Sequence, residues 1–225
     1  APHRFICFTD DDTGIDRDRV EVLPLWDDHA SVPNPTWPDG PSCYRRLKVF
    51  SRDFGDIVGP RFVCLDLDMV ISGDLRPLWD RPEPFLIWKP GTERVPLCAS
   101  MFLLDSGSHP EVWDWFDPVR SPVLATGEGH RGSDQGWITF VMGRNAPGWT
   151  KKDGVYSWPR QIADLGPARN RPRRPEVRRW RPRYVVPQKQ GPLPHDCRVA
   201  VFTGKPDPWE PEAQEISPWI ADHYK

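Results

Sequence analysis

The sequence predicts an α/β domain with a mainly parallel sheet, and three observations carry that expectation. Short apolar runs of strand character alternate with stretches of helical spacing over most of the 225 residues. The runs over residues 3–8 and 61–68 end in carboxylates, at the strand ends where open α/β sheets hold their ligands. The run over 97–104 is apolar throughout, as a strand covered on both faces must be.

Length favours one domain over 1–225, with an Arg/Pro-rich loop at 166–184 and a polar C-terminal tail at 210–225 anchored by Trp219. A hydrophobic content of 38% is enough for a buried core, and 28 prolines predict short elements joined by stiff loops. The formal net charge of -2 gives no global attraction to nucleic acid, which is not expected as a partner. Five cysteines, an odd number without a Cys-x-x-Cys pair, argue against both a disulfide framework and a structural zinc site. Cys7 and Cys64, inside apolar runs, read as small core residues of a protein from a reducing cytoplasm. Neither a transmembrane stretch nor a signal peptide is visible in these residues, so a cytoplasmic location is expected.

The first strand, over residues 3–8, runs into an acidic, glycine-ended turn that includes Asp10. A short second strand over 20–25 is closed by Pro24, and 26–42 is a proline-punctuated loop. Residues 44–50 have the spacing of one amphipathic helix, with Leu47 and Phe50 facing the core, so Tyr44, Arg46 and Lys48 cannot all point one way. The third strand fills 61–68, and further strands are expected at 85–88, 97–104 and 198–203. A helix over 110–116 should start at Pro110 and bury Val112, Trp115 and Phe116. A better defined helix should be capped by Ser133 and bury Trp137, Ile138 and Val141, which puts Asp134 and Gln135 in its first turn beside the positive end of the helix dipole.

Three groups carry chemistry. Asp66 and Asp68 are hard oxygen ligands suited to Mg or Mn, and such a metal neutralises a diphosphate. Asp134 and Gln135 offer a carboxylate and an amide where a helix meets an anionic ligand. Arg46 and Lys205 are cations suited to phosphate oxygens. Together they are equipment for making a nucleoside diphosphate a good leaving group.

The order of these segments, Phe5-Ile-Cys-Phe-Thr-Asp-Asp11, Tyr44-x-Arg46-Leu47, Leu65-Asp-Leu-Asp-x-Val-Ile-x-Gly-Asp-Leu-x-Pro-Leu-Trp79, Gly132-Ser-Asp-Gln135 and Gly204-Lys-Pro-x-Pro-Trp209, resembles bacterial nucleotide-sugar glycosyltransferases of GT-A fold, similar to the retaining group that includes glycogenin and lipopolysaccharide galactosyltransferases. The resemblance spans residues 3 to 209 and implies a Rossmann-like mixed, mostly parallel sheet flanked by helices, here without the family's first strand. It implies a hexosyl transfer with retention, Mn or Mg as cofactor, a nucleotide-diphosphate sugar as donor and a saccharide or glycolipid as acceptor. Carried over by position, Asp66 and Asp68 match the metal and nucleotide motif and Arg46 the basic residue at the donor. Asp134 and Gln135 match the pair beside the anomeric carbon, and Gly204 and Lys205 the loop that closes on the phosphates. Asp10, in the acidic turn after the first strand, is expected on the donor side.

This chain departs from the family at the third metal ligand: Val201 and Thr203 stand where relatives place a His. Trp158 and Pro159 stand where relatives carry a Tyr-Lys pair. Eight arginines between residues 169 and 183 against the single Glu176 suggest a face for an anionic glycolipid or for the inner surface of a membrane. Two alternatives remain at this point. One is a catalytically degenerate or truncated protein of the same fold. The other is a haloacid-dehalogenase-like phosphohydrolase with Asp66 as nucleophile and Asp68 as acid/base, which would also need a downstream Lys and a further acidic pair.

Overall fold

The computed structural model of the chain describes residues 3–35, 39–93, 95–130, 132–164 and 191–224. The Arg/Pro-rich loop at 166–184, with its expected membrane or glycolipid contact at 169–183, lies outside the described residues. In chain order the strands are β1 (Ile6–Thr9), β2 (Glu21–Pro24), β3 (Arg61–Leu65), β4 (Met69–Ile71), β5 (Phe85–Trp88), β6 (Cys98–Asp105), β7 (Gly148–Trp149), β8 (Val155–Ser157) and β9 (Val199–Val201). The α-helices are α1 (Gly55–Val58), α2 (Arg76–Trp79), α3 (Glu111–Asp114), α4 (Arg120–Gly127), α5 (Asp134–Met142), α6 (Pro211–Ile216) and α7 (Ile220–His223). Three sheets result: β1-β2, β3-β6-β5-β7 and β4-β9-β8. The pairs β1–β2, β5–β7 and β8–β9 run parallel and β4–β9 antiparallel, so the sheets are mixed and mostly parallel, as expected.

The chain divides into two compact units, residues 1–62 with 104–144, and residues 63–103 with 145–225. The first is held by aromatic packing. Phe8, Trp26, Phe54 and Phe62 meet at ring separations of 5.0 to 5.6 Å, and Phe116 joins Tyr44 to Trp137. Residues 43–50 form a 3-10 helix rather than an α-helix. Its three-residue repeat stacks Tyr44, Leu47 and Phe50 on one side, and all three are buried. Lys48 leaves on another side toward Asp28 and the face of Trp113, so the three polar-ended side chains do diverge.

α3 is shorter than the expected 110–116 helix, and Trp115 is 66% exposed while Val112 and Phe116 are buried. α4 was not foreseen, because Pro122 in its first turn reads as a helix breaker and Val119, Val123 and Leu124 leave apolar side chains exposed, which hides any core-facing stripe.

In the second unit β9 separates two apolar clusters through strand alternation. Val199 and Val201 pack with Met69, Trp88 and Trp149, whereas Ala200 and Phe202 pack with Val70, Trp158 and Ile216. Trp158 stacks on Phe202 at 4.6 Å and donates from Nε1 to Ser217 Oγ, so this departure from the family pattern is a core residue. The 210–225 tail contains α6 and α7, which bury Ala213, Ile216 and Ile220, while Trp219 donates to the Gly191 carbonyl. Pro211 opens α6 at its first turn, where a missing N–H costs nothing.

β7 lies so close to β5 that a Cβ on Gly148 would run into the Ile87 carbonyl and the Lys89 side chain. Gly148→Ala is therefore expected to destabilise the protein by about 1–3 kcal/mol, read as a lower urea midpoint with an unchanged slope.

Candidate functional site

The apolar run expected as one strand over 61–68 is interrupted where its carboxylates stand. β3 ends at Leu65, the chain bends through Asp66, Leu67 and Asp68, and β4 starts at Met69 in a different sheet. The bend is fixed at both ends by main-chain bonds: Asp66 N–H donates to the Ser100 carbonyl at 2.8 Å, and the Asp68 carbonyl accepts from Phe202 N–H at 3.0 Å. Leu67 between them is 81% exposed, so the bend sits at the surface of its unit. Main-chain bonds to β6 and to the residue after β9 thus help set the positions of two half-exposed carboxylates.

The Asp68 contact continues into the loop after β9. Gly204 adopts a φ of +84°, in the left-handed region where a Cβ is disfavoured, and Lys205 follows. The Lys205 ammonium bonds Asp207 Oδ2 closely and Glu210 Oε1 at 3.0 Å, and lies 5.8 Å from the Trp209 ring centre. Asp207 N–H donates to Glu210 Oε2 at 2.8 Å, which closes the loop on itself. Hydrogen bonding to Asp207, with a smaller part from Glu210, raises the Lys205 pKa above its ordinary value. Lys205 is therefore a charged group engaged within its own loop. Tyr224, which follows α7, has its phenol pKa raised by burial first and then by Asp207 and Asp68.

In the first unit Arg46 and Asp134, far apart in sequence, come together. Arg46 Nη1 lies 3.4 Å from Asp134 Oδ2, with side-chain exposures of 27% and 8%. α5 begins at Asp134 as expected, and Ser133 occupies the N-cap with extended backbone angles. Its hydroxyl caps nothing, however, and among the described residues it is buried without a hydrogen-bond partner. Tyr44 instead fixes the approach to the helix, its hydroxyl bonding closely to the Gly132 carbonyl. Gln135 is half-buried, and its carbonyl accepts from Thr139 Oγ1 at 2.7 Å.

Cys43, one 3-10 turn before Arg46, also faces Asp134. Burial, with the Asp134 charge second, pushes the Cys43 thiol up to about 12, so it is a protonated thiol at neutral pH. Nothing in the sequence pointed to Cys43 or Tyr44 as neighbours of Asp134; the three-residue spacing from Cys43 to Arg46 was the available signal. Asp10 is exposed and lies 3.7 Å from Arg45. Arg45 is anchored by the Trp26 carbonyl, which accepts from its Nε at 2.9 Å and its Nη2 at 2.6 Å.

Among the described residues no group of three or more His, Cys, Asp or Glu side chains is arranged to hold a metal. Val201 is fully buried in β9 against Met69 and cannot be a ligand, and His195 is an exposed loop residue. Asp66 and Asp68 nevertheless suit a cation that keeps its other positions for water and substrate phosphates, as Mg commonly does.

These strands, helices and the acidic bend after β3 constitute a GT-A glycosyltransferase fold. The chain is similar to a solved structure of an active-site Gln-to-Glu mutant of LgtC, with a TM-score of 0.50 at 12% identity over 92% of this chain and 76% of that one. It also aligns with the galactosyltransferase LgtC in complex with donor and acceptor sugar analogs, at a TM-score of 0.48, 14% identity and the same coverage. No protein-family model and no curated protein matches the sequence. Among the described residues no helix is long and apolar enough to cross a membrane.

Proposed function

We propose that this protein is a metal-dependent glycosyltransferase that moves a hexosyl unit from a nucleotide-diphosphate sugar to a saccharide or glycolipid acceptor, with retention at the anomeric carbon. The observation that carries the reading is the Asp66-Leu67-Asp68 bend, set by main-chain bonds at the end of β3 in a GT-A fold. Asp66 and Asp68 would hold Mn or Mg, which supplies charge neutralisation for the departing diphosphate. Arg46 and Lys205 would bind donor oxygens as cations, and Gly204 would let the loop backbone approach them. Asp134 would orient the sugar or attack it at the anomeric carbon, and Gln135 would bond a sugar hydroxyl. Asp10 would act on the donor side through Arg45.

Asp134 suits its role because it is a buried carboxylate with the Arg46 guanidinium 3.4 Å away. Tyr44 keeps the start of α5 in place. Incubating the protein with Mn and a panel of nucleotide sugars, with and without saccharide acceptors, tests the reading by its products. Glycoside together with free nucleoside diphosphate is expected; release of inorganic phosphate from a phosphomonoester, without sugar transfer, would overturn it.

Engagement of Lys205 gives a second expected result. Asp207 and Glu210 already offset the Lys205 charge that a diphosphate would meet, and half-exposed pairs of this kind are worth about 0.2–1 kcal/mol each. The double substitution Asp207→Asn, Glu210→Gln is therefore expected to tighten pyrophosphate binding by up to about tenfold, measured by titration calorimetry. Unchanged or weaker binding would show that Lys205 is not a phosphate contact.

A further inference from the structure

The second unit holds a solvent-open hollow of about 410 Å³ lined by Lys151, Lys152, Tyr156, Gln161 and Asp196. None of these residues takes part in the transfer chemistry proposed above. Its size lies within the range of roughly 300–1,000 Å³ typical of small-molecule sites.

The two lysines are presented by a rigid turn. Thr150 and Asp153 form a reciprocal capping box around Lys151 and Lys152, and Gly154 closes the turn in the left-handed region at a φ of 84°. The carboxylate nearest in sequence is already committed. Asp153 Oδ2 accepts from Thr150 N–H and Oγ1, while its Oδ1 faces Arg81 at 3.7 Å. Among the described residues, accordingly, neither lysine makes an ion pair. Gln161 Oε1 accepts from Ser157 N–H at 2.7 Å, which orients the amide and leaves its Nε2 as a donor. Tyr156 is half-buried and donates to Asp196 Oδ1 at 2.8 Å, so the carboxylate is held in place beside the tyrosine ring.

Among the described residues the lining thus carries two ammonium groups, one oriented amide donor, the half-buried Tyr156 ring and one carboxylate. Two cations against one anion favour a ligand with a single negative charge. A bare anion would engage the lysines alone; a ligand that also carries hydroxyls would add hydrogen bonds donated to Asp196, which offset its repulsion. We propose that this hollow binds an acidic saccharide unit, its carboxylate toward Lys151 and Lys152, a ring hydroxyl toward Asp196 and the sugar face against Tyr156.

Amide NMR titrations of the whole protein, without nucleotide or metal, test this independently of any transfer activity. The probes are methyl glucuronide, methyl glucoside and acetate. Methyl glucuronide is expected to shift the resonances of Lys151, Lys152, Tyr156 and Gln161, with methyl glucoside and acetate each at least tenfold weaker. Lys151→Met with Lys152→Met, both exposed, should weaken methyl glucuronide at least tenfold and leave the rest of the spectrum unchanged. Asp196→Asn should weaken methyl glucuronide but not acetate. Acetate binding as tightly as methyl glucuronide, undiminished binding by the double variant, or no movement of these resonances would overturn the proposal.

Discussion

Asp66→Asn and Asp68→Asn are each expected to lower sugar transfer by two orders of magnitude or more, about 3 kcal/mol of transition-state stabilisation, without unfolding the protein. Two main-chain bonds hold the bend, Asp66 N–H to Ser100 and the Asp68 carbonyl to Phe202 N–H, and an amide side chain leaves both in place. What changes is the charge presented to a cation: an amide is a far poorer ligand for Mg or Mn than a carboxylate. Leu67→Ala is the matched control. Its side chain is 81% exposed, so removal should shift stability by no more than about 0.5 kcal/mol and leave transfer near wild type. Initial rates across a Mn titration, with circular dichroism to verify folding, measure all three; wild-type rates in the Asn variants would remove the metal role.

The second large effect is expected from Asp134→Asn, and it has three separate signatures. Transfer should fall at least a hundredfold if Asp134 acts at the anomeric carbon. Stability should fall by about 1–3 kcal/mol, less than for a fully buried pair, because Arg46 keeps access to water. Cys43 reports the electrostatics directly. Its thiol stands at about 12 through burial first and the Asp134 charge second, so neutralising residue 134 removes the second of these and the pKa falls. The thiolate fraction at pH 9 then rises, and Cys43 should alkylate severalfold faster with iodoacetamide than in the wild type. An unchanged alkylation rate would mean that Asp134 is not charged beside Cys43.

Strands were legible wherever burial on both faces leaves a continuous apolar run. β5 and β6 fall within a residue of the expected positions because each of their side chains but one is buried. The 3-10 helix was misread in type because Leu47 and Phe50, three apart, satisfy a 3.0-residue repeat and a 3.6-residue repeat alike. β7 and β8 were missed, since two or three residues are too short for alternation to register, and they are placed by pairing with β5 and β9.

At the candidate site, the acidic bend was legible as a motif, but its two sheet attachments were not. Its partners Ser100 and Phe202 are distant in sequence and act through backbone atoms that carry no residue signature. The pairing of Arg46 with Asp134 was missed because the two side chains are distant in sequence and only the fold brings them together. Engagement of Lys205 with Asp207 and Glu210 is local, two and five residues on, yet the sequence reading did not draw it. It was obscured by the expectation that a lysine after a glycine serves a phosphate.

The most direct test is titration calorimetry of the intact protein with a panel of nucleoside diphosphates, each in the presence and absence of Mn. The expected result is that at least one nucleoside diphosphate binds only with Mn, and that this binding is lost in Asp66→Asn and Asp68→Asn but kept in Leu67→Ala. Binding of none of them under either condition would contradict a nucleotide-sugar transferase and leave a GT-A fold without its chemistry.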